Sequence, residues 1–276
     1  MIEHLLQRIA GELARCPFVA GVVLGGSRAT GTATEASDID IGIYYDGEEI
    51  DFDRLNEIAA RLDDGRRENL ICREGGWGNW VNCGGWLTVE RYHVDLILRE
   101  TGRVRDILDR TDRGETAAHY QTGHPHGYVD AMYRGELAAG RALYARDRDF
   151  EQMKRRAESY PEELRRALIS FFMFEANFSC SLARAYAGRD DIYYVAGHLF
   201  RAASALNQVM FALNRTYCLN EKKAVLRIRD FPLTLPDYAA RVNGLFNLTP
   251  ETLAGSIEKL EKLCREAEAL AEREEG

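Results

Sequence analysis

The sequence predicts an α+β protein: a small domain of mixed sheet and helices to about residue 125, then an all-α helical bundle domain over residues 126–276. Two observations carry this. Apolar runs of strand length alternate with helix-period stretches before residue 125, and helical periodicity takes over after it. A third bounds it: no internal repeat divides the 276 residues, and 46% hydrophobic with 29% charged residues is the balance of an ordinary globular chain.

The elements follow in order. Ile2, Leu5, Leu6, Ile9 and Leu13 keep helical spacing, so residues 2–15 form an amphipathic helix. A signal peptide would start basic and hold an uncharged apolar stretch, and this segment does neither. The apolar run 18–24 reads as a buried strand. A Gly-Gly-Ser turn, a short polar helical stretch and the strand Ile39–Tyr45 come next. Leu55, Ile58, Ala59 and Leu62 mark an amphipathic helix over 51–63. The loop EGGWGNWVNCGGW leads into strands over 86–89 and 92–98, and a helix over 101–113 closes this half.

After the loop TGHPHGY the pattern is helical nearly to the end. Leu164, Leu168, Phe171, Phe172, Phe178, Leu182 and Tyr186 form one broad apolar face. Ile192, Val195, Leu199, Leu206, Val209, Met210, Leu213 and Tyr217 form another. A last amphipathic helix is expected over 249–274, through Leu253, Ile257, Leu260, Leu263, Ala267 and Leu270.

Composition excludes several functions. A net charge of −8 argues against a surface that neutralises a nucleic-acid backbone and is compatible with a cationic substrate. No run of about 18 uncharged apolar residues exists, so no membrane span is expected. The six cysteines are scattered with no CxxC pair, which fits reduced thiols in the cytoplasm. The amphipathic terminal helices suit packing within the chain or in a homodimer.

The chemistry concentrates in residues 24–45. Gly25 and Gly26 follow a buried strand and let the backbone turn tightly beside a ligand. Ser27, at the start of a helical stretch, offers a hydroxyl and an N–H to an anion. Asp38 and Asp40, two residues apart at a strand start, point to one face, where their mutual repulsion suits a divalent cation. A lone Asp-x-Asp would equally read as a turn residue and a solvated edge charge. The glycine turn, the spacing and a third acid, Asp95, embedded in the apolar run YHVDLIL, together favour a site for a nucleoside triphosphate with magnesium.

The string Gly26-Ser27, ten residues, Asp38-x-Asp40 resembles the signature of the DNA polymerase β-like nucleotidyltransferase superfamily. That superfamily includes aminoglycoside and lincosamide nucleotidyltransferases, poly(A) and CCA-adding enzymes, and minimal nucleotidyltransferases of toxin–antitoxin systems. The resemblance implies a polymerase β-like palm and a Mg²⁺-dependent, two-metal transfer of a nucleoside monophosphate from ATP or another nucleotide. Asp38 and Asp40 would bridge the cations that hold the triphosphate. Asp95 would ligate the catalytic metal, act as base toward the acceptor hydroxyl, or both. Nucleotide binding would fall to Gly25, Gly26, Ser27, Arg28 and Ser37, with Lys222 from the helical half.

That half is similar in architecture to the streptomycin/spectinomycin-type aminoglycoside adenylyltransferases, in which a lysine after a long helix reaches the nucleotide phosphates. Lys222, or Lys223, is the matching residue, and both equally read as surface lysines of a helix start. Asp191 or Asp190 matches an acid that holds the cationic substrate there, although a helix cap is the favoured reading. The third carboxylate of that family is typically glutamate, and here it is aspartate.

The expected partners are therefore a nucleotide and a small-molecule acceptor of the aminoglycoside type, with neither nucleic acid nor membrane. A protein acceptor and a nucleotide sensor with little turnover are the alternatives. Other candidates carry plainer readings. His124 and His126 suit a Pro-anchored turn better than a metal site or a lid over the nucleotide. His93 lies two residues before Asp95, on its face. Trp77, Trp80 and Trp86 suit a stacking surface or a flap packed on its own domain. His198 and Glu175 read as hydrogen-bonded interior groups. Lys154, Arg155 and Arg156 beside Glu151, Glu158 and Glu162 read as a solvated helix face.

Overall fold

The computed structural model describes residues 2–35, 37–47, 50–188 and 191–275. In chain order its elements are α1 (Ile2–Leu13), β1 (Val19–Leu24), α2 (Gly26–Ala29), β2 (Ile39–Tyr45), α3 (Phe52–Leu62), β3 (Cys83–Val89), β4 (Tyr92–Glu100) and α4 (Thr101–Asp112). Then come β5 (Ala118–His119), β6 (Tyr128–Val129), α5 (Met132–Ala139), β7 (Arg141–Ala145) and α6 (Arg148–Glu158). The helices α7 (Glu162–Tyr186), α8 (Ile192–Leu213), α9 (Ala224–Ile228), α10 (Tyr238–Asn243) and α11 (Leu253–Glu275) complete the chain.

The chain divides into two compact units. The first comprises residues 1–110, 117–123 and 127–159; the second comprises 111–116, 124–126 and 160–276. The first is built on a five-stranded mixed sheet of order β3-β4-β2-β1-β7. β2 and β4 run parallel, and the other neighbours are antiparallel. Alternation sends Ile39, Ile41, Ile43 and Tyr45 of β2 and Val94, Leu96 and Leu98 of β4 to one face. There they are buried in one core with Leu5, Leu6, Ile9 and Leu13 of α1 and Leu55, Ile58 and Leu62 of α3. Asp40 and Asp95 belong to the opposite face.

A buried carboxylate ties α3 to the β3–β4 hairpin. Asp63 accepts from the Thr88 and Gly65 N–H groups at 2.9 and 3.1 Å and takes a two-pronged bond from the Arg67 guanidinium at 2.6 and 2.9 Å. Arg67, then the backbone N–H groups of Thr88 and Arg67, hold its carboxyl well below the usual range. The stability this contributes is present above the unfolded carboxyl value of about 4 and is lost as the pH falls below it. Asp63→Asn should cost about 2 kcal/mol at neutral pH in a denaturant titration, by loss of a charge-assisted set of bonds. It should also remove part of the acid limb of the stability–pH profile.

Three features differ from the sequence reading. Residues 127–159, expected in an all-helical half, pack with the first unit, because Arg141–Ala145 forms β7 and pairs with β1. This strand lies at the sheet edge with no fully buried position, so its composition carries no alternating signal. β3 starts at Cys83, earlier than expected, with Gly84 and Gly85 inside the ladder. In the second unit, α7 turns Leu168, Ile169, Phe172, Ala176, Ser179, Cys180 and Ala183 inward and leaves Phe171 and Phe178 exposed. The helix is apolar on more than one side, and its small residues face inward where α7 packs along α8. α11 packs on both. No helix among the described residues is long and apolar enough to cross a membrane.

Candidate functional site

Asp40 and Asp95 are Cα partners in the parallel register of β2 and β4, so they stand abreast on one sheet face. Strands in this arrangement are about 4.8 Å apart, which brings both carboxylates within reach of one dication. Asp38, exposed, precedes β2 on the same alternation. The donors are all carboxylate oxygens, the set a hard cation such as Mg²⁺ selects.

The glycine turn is built around one of these acids. The Gly25 N–H donates to the Asp40 carbonyl at 2.8 Å, closing β1 onto β2. Gly26 follows at φ +59°, and a Cβ placed on it would lie 1.8 Å from Asp40 Oδ2. The Asp40 carboxylate thus sits in a cradle that only glycine leaves open. Gly26→Ala should strain the left-handed turn and displace that carboxylate. The expected result is at least about a hundredfold loss of turnover, for about 1–2 kcal/mol of stability, read from steady-state rates and thermal melts.

Arg28, in the turn of helix that follows, donates from Nε to the Asp38 carbonyl at 3.1 Å and from its other arm to the Ser37 carbonyl. Its guanidinium also lies over the Tyr92 ring, 5.7 Å from the centroid. The Ser37 hydroxyl accepts from the Thr34 N–H at 2.9 Å and closes its own turn. These contacts fix the approach of the chain to Asp38. Ser27 is half-buried at the same turn.

Trp86 is the β3 partner of Asp95 and lies on the same face, 61% exposed. Trp77 stacks on it at 4.7 Å between centroids. Trp77 also lies across Gly84, where a Cβ would fall 2.4 Å from its ring. Gln121 holds the loop, donating to the Trp77 carbonyl at 2.6 Å and accepting from the Trp80 and Val81 N–H groups at 3.0 and 3.2 Å. The two tryptophans make an aromatic ledge one strand from the acid pair. Trp80 is separate from it: its ring stacks on His119 at 3.8 Å and receives the Arg103 guanidinium at 4.2 Å. His93 is exposed, opposite Thr88 on β3.

The remaining candidates lie elsewhere. Lys222 and Lys223 are exposed in the second unit at the entry to α9, and Lys223 takes φ +60°. Asp191 caps α8, accepting from the Tyr194 N–H at 3.0 Å. Asp190 lies outside the described residues. Glu175 pairs with Arg201 on a neighbouring helix. Burial lowers the His198 imidazole below its usual range, reinforced by Arg201. Lys154, Arg155 and Arg156 pair with Glu158, Glu151 and Asp109.

His124 and His126 converge on Glu221, a residue that sequence spacing does not connect to them. Burial lowers the His126 imidazole below its usual range, partly offset by Glu221.

Residues 6–111 match the family described as nucleotidyltransferase domain, a span that covers the glycine turn and all three acids. Residues 135–222 match a family described as a domain of unknown function, DUF4037. No curated protein matches the chain. Among solved structures it is similar to a nucleotidyltransferase-like protein from Exiguobacterium sibiricum 255-15, at 13% identity and a TM-score of 0.49. That match covers 99% of this chain and 78% of the other. With its mixed sheet flanked by helices, the first unit has a polymerase β-like fold, and the chain carries a nucleotidyltransferase domain over residues 6–111 and is a transferase enzyme.

Proposed function

We propose that the enzyme transfers AMP from ATP to a hydroxyl of a small cationic polyol of the aminoglycoside type, with Mg²⁺. The observation that supports this most is the pair Asp40 and Asp95, abreast on one face beside the Gly26 cradle. Asp38, Asp40 and Asp95 would hold magnesium, which when bound offsets the charge of the triphosphate. The turn at Gly25, Gly26 and Ser27 lets the phosphates approach the backbone. Arg28 and Ser37 fix the segment carrying Asp38.

Asp95, in the middle of the ladder and flanked by Trp86, is assigned as the base that takes the proton of the acceptor hydroxyl. The freed oxygen bonds to the α-phosphorus as the bond to the β-phosphate oxygen breaks, and pyrophosphate leaves. Most of the rate comes from positioning and charge placement. The Trp77–Trp86 ledge offers a flat apolar surface to a sugar ring or a base. The net charge of −8 favours a cationic acceptor over an anionic one.

Pyrophosphate release from ATP and Mg²⁺, screened across aminoglycosides, lincosamides and related polyols, tests this reading. Release that depends on one class of polyol supports it. Labelling of a partner polypeptide instead would move the acceptor to protein. Nucleotide binding with no pyrophosphate under any condition would make the chain a sensor.

A further inference from the structure

Among the described residues a second set of ligating side chains converges, in the helical unit: His124, His126 and Glu221. His124 Nδ1 lies 3.5 Å and His126 Nε2 lies 3.4 Å from the same oxygen, Glu221 Oε2. All three ligand atoms fall within 4.8 Å of one another. The His126 side chain is only 4% exposed. Among the described residues neither its Nε2 nor Glu221 Oε2 has a hydrogen-bond partner. Buried polar atoms are nearly always satisfied, and two such atoms aimed at one point call for a ligand between them.

The distances identify its class. When bonds to a tetrahedral zinc ion are about 2.0–2.2 Å, neighbouring ligand atoms stand about 3.3–3.5 Å apart, the separation of each histidine nitrogen from Glu221 Oε2. Magnesium prefers oxygen-rich sites, whereas two imidazoles and one carboxylate suit a first-row transition metal. The local chain supports the arrangement. Pro125 fixes the backbone between the two histidines. The Lys222 N–H bonds Asn220 Oδ1 at 2.7 Å and shapes the turn that presents Glu221.

We propose that His124, His126 and Glu221 bind one first-row transition-metal dication, zinc in preference to magnesium. Three protein ligands leave a fourth position open to water or an added ligand. None of the three ligands is a residue assigned to nucleotidyl transfer, and Lys222 enters only through its backbone N–H, so the site stands or falls independently of that function.

The test is a titration of metal-stripped full-length protein with Co²⁺, followed by its visible ligand-field absorption, in wild type and in an Asp40→Asn/Asp95→Asn variant. The second protein removes any contribution from the acid pair. The expected result is the strong absorption of one four-coordinate Co²⁺ per chain in both proteins, displaced by Zn²⁺ and left in place by Mg²⁺. Glu221→Gln and His126→Asn should each weaken binding at least about a hundredfold, since even indirect partners of a metal are worth up to that much. Far-UV circular dichroism checks that they fold. Absent Co²⁺ absorption in wild type, or binding that survives both ligand variants, would overturn the proposal. If a ligand variant fails to fold, the acid-pair variant decides: loss of the cobalt signal there would assign the metal to the other site and overturn the proposal equally.

Discussion

Asp40→Asn and Asp95→Asn should each lower nucleotidyl transfer by about a thousandfold or more while changing stability by less than about 1 kcal/mol. The two effects separate because of where the residues sit. Both are only half-buried, on a sheet face opposite the aliphatic core, so neither contributes to that core. They stand abreast as like charges, an arrangement whose mutual repulsion a dication would relieve. Substitution by asparagine keeps size and removes charge, so the loss reports the charge alone. Initial rates together with denaturant midpoints measure both quantities. A variant that loses activity and stability in parallel would show the acids to be structural.

The largest stability effect is expected elsewhere on the same face. Four residues along the register from the acid pair, Tyr44 stands opposite Arg99. Arg99 is 3% exposed and grips Glu136 of α5 with two bonds, at 2.7 and 3.0 Å. It also donates to the Val81 carbonyl at 2.7 Å and lies 4.8 Å from the Tyr133 ring centroid. Arg99→Met removes the buried partner of the pair and leaves the Glu136 carboxylate, half-buried, without its guanidinium, at an expected cost of about 3 kcal/mol, the low end for breaking a buried pair. The double variant Arg99→Met/Glu136→Leu should recover most of that loss, because the desolvation of both charges disappears together. Urea denaturation of the two single variants and the double distinguishes these outcomes. Since Val81 belongs to the loop that carries Trp77 and Trp80, the single variant should also loosen the aromatic ledge.

What was legible in the sequence follows from how local the physics is. Asp40 and Asp95 announce themselves as charges inside apolar runs, and strand alternation alone puts Asp38 and Asp40 on one face. The pairing of β2 with β4, which sets Asp40 beside Asp95, is long-range, yet both strands were legible from their own apolar content. β7 was not, because an edge strand with half-exposed side chains carries no period. The inward face of α7 was hidden for the opposite reason: apolar residues run round the helix, and the packed face takes Phe172, Ala176 and Ala183 while Phe171 and Phe178 stay exposed. Gly84 reads as loop until Trp77 is seen lying across it. Glu221 carries no local signal at all; only the tertiary fold brings it to His124 and His126. The parity that places Trp86 beside Asp95 needs the hairpin register, which the two-residue turn at Glu90 and Arg91 sets.

The measurement that bears most directly on the central claim is the fate of ATP radiolabelled at the α-phosphate, compared with ATP labelled at the γ-phosphate, in the presence of Mg²⁺ and an accepting polyol. The α-label should move to the polyol and the γ-label should leave as pyrophosphate, and both events should vanish in Asp40→Asn. Transfer of the γ-label to the polyol, or α-label transfer undiminished in Asp40→Asn, would contradict that claim.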